Sequence, residues 1–230
     1  MSETRGPKPR ALDIPSDSAE DSKAPETPSQ NAPQNGSPSD AAQSQKLKVK
    51  IEDGIVILGR RGSGKSNIIR YLVKGPLKSY KFVVLDVVGS LKSLEGQPNV
   101  EYYVVNPRRT QDVNKIINKV LEERNKMLVS DEIDRFDYMR TSALNDLVNI
   151  GRNYGVGYIV AARRTATVSK DFLSNAEFSF VFQHILPQDL EVLREWYNID
   201  EQILRNLKAH EVILFHGAEP IWRGMVPYVP

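Results

Sequence analysis

Gly59-Arg60-Arg61-Gly62-Ser63-Gly64-Lys65-Ser66 decides how this chain is read. It matches G-x-x-x-x-G-K-[ST] at every fixed position. Each residue type has a physical reason. Glycines let the backbone curl round a phosphate chain with its N–H groups pointing inward. A helix opening near Lys65 would aim the positive end of its dipole at the same anion. Lys65 is expected to reach the β- and γ-phosphates, and the Ser66 hydroxyl to ligate Mg²⁺. The candidate binding segment is therefore Gly59, Arg60, Arg61, Gly62, Ser63, Gly64, Lys65, Ser66 and Asn67. A chance match in a chain of this length arises roughly once in a hundred. Context lowers that figure, because the motif follows the apolar run Ile55 to Leu58 and opens a helical stretch from Ser66 to Val73. The bland alternative is a flexible glycine loop with an exposed Lys.

Working outward, strand-like and helix-like segments alternate. Lys81 to Asp86, Lys126 to Asp131, Tyr158 to Ala162 and Phe178 to Gln183 are short apolar runs, as buried strands require. Asp112 to Asn125 carries Val113, Ile116, Ile117, Val120 and Leu121 at helical spacing. Thr141 to Asn153 and segments near 187–197 and 200–207 also suit helices. Glu211 to His216 and Ile221 to Val226 flank a Gly-containing turn and predict a β-hairpin. The pattern predicts an α/β fold: a mainly parallel sheet with helices on both faces and a C-terminal hairpin.

The chain has 230 residues, with 31 Lys and Arg against 29 Asp and Glu. That balance excludes a histone-like polycation and an acidic solvating chain. The absence of Cys excludes disulfides, Cys-ligated metal, iron–sulfur clusters and thiol catalysis. The apolar runs are too short to span a bilayer, and the N-terminus has no apolar secretory core. The averages hide a boundary. Residues 1–45 hold seven of the 14 Pro, eight Ser and no aromatic residue. Such a segment buries too little apolar surface to offset chain entropy, which predicts a disordered tail before a domain spanning 46–230. The tail carries net −3 and the remainder +5. It reads as a solvated linker or as a partner-binding arm.

Met127-Leu-Val-Ser-Asp131-Glu132 supplies the second half of the site. A P-loop ATPase keeps its metal-organising carboxylate at such a strand end. Asp131 is expected to hold Mg²⁺ and Glu132 to polarise the attacking water. Asp86 also ends an apolar strand, and two readings stay open: a further acidic group at the site, or a turn residue. Asp134 and Asp137 read as solvated. His184, His210 and His216 lack ligand spacing and read as structural.

Gly151-Arg152-Asn-Tyr-Gly155-Val-Gly157-Tyr-Ile-Val-Ala-Ala162-Arg163-Arg164-Thr165, then Val168 to Asn175, resembles the HerA–FtsK superfamily of DNA-pumping P-loop ATPases. The resemblance covers most of residues 50–226. It implies the P-loop NTPase three-layer sandwich, with ATP and Mg²⁺ as ligands. It makes Arg152 an arginine finger reaching a neighbouring subunit's γ-phosphate, against the bland reading of a cation at a helix C-terminus. Arg163 stands where the family usually has Gln. That leaves open a second cationic sensor, a different sensing mode, or slow hydrolysis. The implied partners are double-stranded DNA, further copies of this chain in a hexameric or pentameric ring, and capsid or vertex proteins. Residues Arg108, Arg109, Arg135, Arg140 and Lys170 are candidate DNA contacts, though each reads more readily as a solvated charge. Little beyond an ATPase core is expected, which resembles viral genome-packaging ATPases acting in the host cytoplasm or at the capsid vertex. The alternatives are the same motor in plasmid conjugation or chromosome handling, and a nucleotide-dependent morphogenesis protein with little turnover.

Overall fold

The computed structural model describes residues 10–12 and 47–230. The disorder expected over 1–45 lies outside the described residues except at Arg10–Leu12. Those three form β1, paired antiparallel with β2, Leu47–Val49. Three residues of mixed polarity carry no strand signal alone, so only the pairing reveals them.

The main body alternates as expected. In chain order it runs β3 (Gly54–Leu58), α1 (Lys65–Lys74), β4 (Lys81–Asp86), β5 (Val100–Val104), α2 (Thr110–Glu123) and β6 (Lys126–Ser130). It continues with α3 (Ser142–Ile150), β7 (Val156–Ala162), α4 (Lys170–Ser174), β8 (Ala176–Phe182), α5 (Pro187–Tyr197), α6 (Glu201–Arg205), β9 (Glu211–His216) and β10 (Glu219–Met225). The helix expected from Thr141 to Asn153 stops at Ile150. A 3₁₀ turn, Gly151–Tyr154, replaces its last turn and ends at Gly155 with φ 66°. Pro187 opens α5, where its fixed φ suits a helix start. Asp200 caps α6 by accepting the Gln202 N–H at 2.8 Å.

Among the described residues, eight strands form one sheet in the order β10-β9-β8-β3-β7-β6-β4-β5. The pairs from β8 to β5 are all parallel, whereas β9 and β10 are antiparallel additions. Side chains alternate between two cores. Val56 and Leu58 face one that α2 to α6 cover, through residues such as Val113, Leu144, Phe172, Leu190 and Leu204. Ile55 and Ile57 face the other, with Ile68, Ile69 and Leu72 of α1. Each such side chain contributes roughly 1.5–3 kcal/mol when fully buried. This is the α/β sandwich expected. Burial of this kind fixes α1 on the sheet and so fixes the loop that feeds it.

Parallel strands bring their C-terminal ends to one edge. Leu58 pairs with Ala162, Ser130 with Val160, and Leu85 with Ser130. Strand β7 therefore separates the phosphate-loop strand from the strand that leads to Asp131. At that edge Asp86 is a turn residue. Its fully buried carboxylate accepts the N–H groups of Val88, Gly89, Ser90 and Leu91, at 3.1, 2.7, 3.2 and 2.7 Å. It also accepts the Tyr102 hydroxyl at 2.6 Å. Burial and this anion push the Tyr102 phenol well above its usual range. Asp86→Ala strips the 88–91 loop of its acceptor. It should cost about 2–4 kcal/mol, seen as a melting temperature roughly 5–15 °C lower. A melting temperature within about 2 °C of wild type would show that the loop is not held this way.

Candidate active site

The phosphate loop leaves β3 and enters α1. Phe182, at the end of β8, packs directly beneath it. A Cβ on Gly59 would lie 2.7 Å from both the Phe182 Cβ and the Ser63 Oγ. Gly64 adopts φ 112°, ψ 9°, which side-chain-bearing residues rarely reach. These constraints place Lys65 at the first helical position, only 6% exposed. Its Nζ donates to the carbonyls of Gly59 at 2.7 Å and Arg60 at 3.0 Å. Burial holds the Lys65 pKa below the usual lysine range, although the nearby Asp131 and Asp134 charges oppose the shift.

Asp131 gathers groups from three strand ends. Its Oδ2 accepts the Ser66 hydroxyl at 2.5 Å and the Ser90 hydroxyl at 2.8 Å. Its Oδ1 accepts the Glu132 N–H at 3.0 Å. Glu132 follows in the left-handed region, φ 61°, ψ 46°, a costly conformation for a residue with a side chain. The Glu132 carboxylate faces two guanidiniums, Arg135 at 2.5 Å and Arg163 at 3.5 Å. Asp134 is not solvated as expected. Its side chain is 6% exposed and lies 3.9 Å from Arg163, because the 3₁₀ turn Ile133–Arg135 folds it back toward β7. Asp137 is exposed and pairs with Arg140.

Arg163 thus sits beside Glu132 at the end of β7. The next two residues are anchored elsewhere. Arg164 pairs at 3.3 Å with Asp189, which also accepts the Ala166 N–H. His184 joins the Thr165 hydroxyl, 3.1 Å from Nε2, to the Phe182 carbonyl, 2.9 Å from Nδ1. A carbonyl only accepts, so Nδ1 carries the proton and Nε2 accepts from Thr165. Burial lowers the His184 pKa, which keeps this neutral form.

The resulting cleft measures about 770 Å³ and is lined by Arg61 through Asn67, Ser90, Asp131, Glu132, Arg135 and Arg163. Arg60 is exposed and turns with Arg61, Arg163 and Arg164 toward a neighbouring hollow. Arg152 is not in the cleft. It is exposed on the turn before β7, at the opposite edge of the sheet, so the strand's length of about 20 Å separates the two. Of the candidate DNA contacts, Arg135 is engaged with Glu132, while Arg108, Arg109, Arg140 and Lys170 are exposed.

The residues fit Mg²⁺. Ser66 and Asp131 offer hard oxygen donors 2.5 Å apart beside the loop, and Mg²⁺ usually takes one or two protein oxygens with phosphates and water. The loop also fits a phosphate chain: among the described residues, the buried ammonium is hydrogen-bonded only to its own loop's carbonyls, and the buried Ser63 Oγ has no hydrogen-bond partner.

No family model and no curated sequence matches the chain. Solved structures do. The genome-packaging NTPase B204 of Sulfolobus turreted icosahedral virus 2, in complex with sulfate, is 17% identical with a TM-score of 0.61, over 79% of this chain and 99% of that one. This chain has the P-loop NTPase fold. Its other structural neighbours include EssC (ATPases 2 and 3) from Geobacillus thermodenitrificans, 14% identical with a TM-score of 0.59, over 76% of this chain and 39% of that one. The conjugation coupling protein TcpA of pCW3 is 16% identical with a TM-score of 0.57, over 80% and 63%. B204 has also been solved with AMPPCP, AMP and ATP-γS.

Sequence reasoning did not find Ser90 or His210. Ser90 lies 41 residues from Asp131 in sequence, and its only local signal is a Gly-Ser turn after an acidic strand end. His210, read as structural, stands at φ 64° with Nδ1 3.2 Å from the Ser63 carbonyl, and it borders the cleft. Removing the hydroxyl that orients Asp131 should weaken metal-dependent nucleotide binding. Ser90→Ala is expected to raise the Mg²⁺ concentration for half-maximal ATP binding about tenfold or more. A fluorescent-nucleotide titration checks this, and an unchanged Mg²⁺ dependence would remove Ser90 from the site.

Proposed function

We propose that this protein is an ATP-hydrolysing DNA translocase of the HerA–FtsK type, and that it drives double-stranded DNA into a viral capsid. One observation carries the hydrolytic part. Lys65 and Ser66, at the start of α1 after β3, and Asp131 and Glu132, just after β6, converge on one cleft although β7 separates the two strands.

In this reading, Gly59 to Asn67 wrap the triphosphate and Lys65 leaves its two carbonyls for the β- and γ-phosphate oxygens. Bound Mg²⁺ would neutralise charge on those oxygens, with Ser66 and Asp131 holding it. Glu132 accepts a proton as water attacks the γ-phosphorus. The bond to the β–γ bridging oxygen breaks, giving ADP and phosphate. The cations now on Glu132 occupy its oxygens, so its pairing with Arg135 and Arg163 must loosen before it takes that proton. Arg163 then stands close enough to offset charge on the transferred phosphoryl group. Arg152 is too far from its own cleft to act there, and its exposure suits action on a neighbouring copy in a ring.

The packaging role is supported by the likeness to B204 over nearly the whole of that protein. The likeness to TcpA, at a comparable TM-score, favours a second reading: the same motor serving conjugation.

Three experiments test this. ATPase activity should rise more than linearly with protein concentration and rise again with double-stranded DNA. Equal specific activity at all concentrations, with or without DNA, would contradict a ring motor. Glu132→Gln should bind ATP like wild type yet lose about 100-fold or more in turnover. Arg152→Ala should lose turnover with binding intact, and mixing the two inactive variants should restore some activity. No recovery on mixing would contradict action across a subunit boundary.

A further inference from the structure

The chain after β10 returns to the phosphate site. Residues 227–230, Pro-Tyr-Val-Pro, run along the exposed side of α1 and are pinned there by three of its side chains. Asn67 grips the strap at two points. Its Nδ2 donates to the Pro227 carbonyl at 3.0 Å, and its Oδ1 accepts the Val229 N–H at 2.7 Å. Arg70 Nε donates to the Val229 carbonyl at 2.9 Å, and Lys74 Nζ to the Pro230 carbonyl at 2.6 Å. Two prolines restrict the strap's own backbone freedom, which lowers the cost of holding it.

Between the two points that Asn67 grips stands Tyr228. It is 79% exposed, and nearby Met225 is 63% exposed, yet both line the same cleft as the phosphate loop. Two large side chains left open together on the wall of one cleft form a surface that a flat, apolar-faced ligand can cover.

Phosphate-loop geometry says what that partner is. The loop's backbone N–H groups hold the α- and β-phosphates, while the lysine takes the β- and γ-phosphates. A triphosphate held this way would turn its γ-phosphate toward Asp131 and Glu132. Its α-phosphate would lie at the start of α1, near Ser66 and Asn67, with the sugar and base continuing outward from there. Asn67 is the residue that clamps the strap.

We infer that Tyr228 is the nucleobase platform of this site: its ring stacks on the base of the bound nucleoside triphosphate, with Met225 and Val226 beside it, and Asn67 positions it by clamping the strap on either side. This rests on the nucleotide-binding reading above and deepens it. Stacking uses the π-face common to all bases, and both polar atoms of the Asn67 amide are already engaged by the strap. The platform therefore favours purines over pyrimidines by stacking area and separates ATP from GTP only weakly. Arg70 adds a link to the metal end, because its second nitrogen donates to the Ser90 carbonyl at 3.2 Å, and Ser90 holds Asp131.

The test compares a ligand that has a base with one that lacks it. Calorimetry would measure the affinity of ATP and of inorganic tripolyphosphate, each with Mg²⁺, for the full chain as wild type, Tyr228→Ala and Tyr228→Phe. Tyr228→Ala should weaken ATP about fivefold or more and leave tripolyphosphate unchanged, which also reports an intact phosphate loop. Tyr228→Phe should bind ATP like wild type. Unchanged ATP affinity in Tyr228→Ala would overturn the platform. So would an equal loss of both ligands, since the strap would then shape the loop rather than touch the base. If wild type bound neither ligand, the nucleotide reading itself would fall, an outcome distinct from either of these.

Discussion

A lysine ammonium buried at the start of a helix is the constraint on which this site turns. Lys65 is 6% exposed, and its hydrogen bonds go to two carbonyls of its own loop. Desolvating a cation is costly unless dipoles or an anion compensate. Here carbonyl dipoles do so at short range, with carboxylates further off. The helix N-terminus beside it is also electropositive. A polyanion entering the loop would relieve both. Much of the surrounding architecture serves to hold this arrangement. The apolar face of α1 fixes the helix, Phe182 supports the loop from below, and Gly59 and Gly64 permit its path.

Asp131 provides the second constraint. One carboxylate oxygen accepts two serine hydroxyls that arrive on different elements, so the ends of β3, β4 and β6 are tied at one point. The buried Asp86 carboxylate makes this possible by folding residues 88–91 so that Ser90 reaches across. The Glu132 backbone then turns through a left-handed conformation that the chain adopts at a cost. That turn directs its carboxylate toward Arg135 and Arg163 rather than along β6. On the proposed reading, a phosphate competing for the two guanidiniums would free Glu132 to change partners.

How much of this was legible follows from the range of each signal. Strands buried on both faces are continuous apolar runs, so β3, β4, β6, β7 and β8 were readable, as was the β9–β10 hairpin. Strand β5 was not. Val100-Glu-Tyr-Tyr-Val104 lies at the sheet edge, half-buried, with neither a continuous run nor a clean alternation. Helix α4 is a single capped turn, too short to show a period. The phosphate loop and the acidic pair are local motifs in which spacing alone carries the chemistry. Contacts that complete the site span long separations: 41 residues for Ser90 with Asp131, 147 for His210 with Ser63, and 159 for Arg70 with Val229. No local pattern encodes them. Asp134 illustrates the converse. Its position after an acidic strand end suggested a solvated turn, but tertiary folding buries it against Arg163.

On the proposed reading, the contacts of Lys65 with its own loop and of Ser66 with Asp131 stand in the places that a nucleotide and its metal would take. A crystal structure with Mg²⁺ and a non-hydrolysable ATP analogue tests it directly. Lys65 Nζ should have left the Gly59 and Arg60 carbonyls for the β- and γ-phosphate oxygens, with Ser66 and Asp131 flanking the metal. A nucleotide seated elsewhere, with both Lys65 bonds intact, would contradict the account.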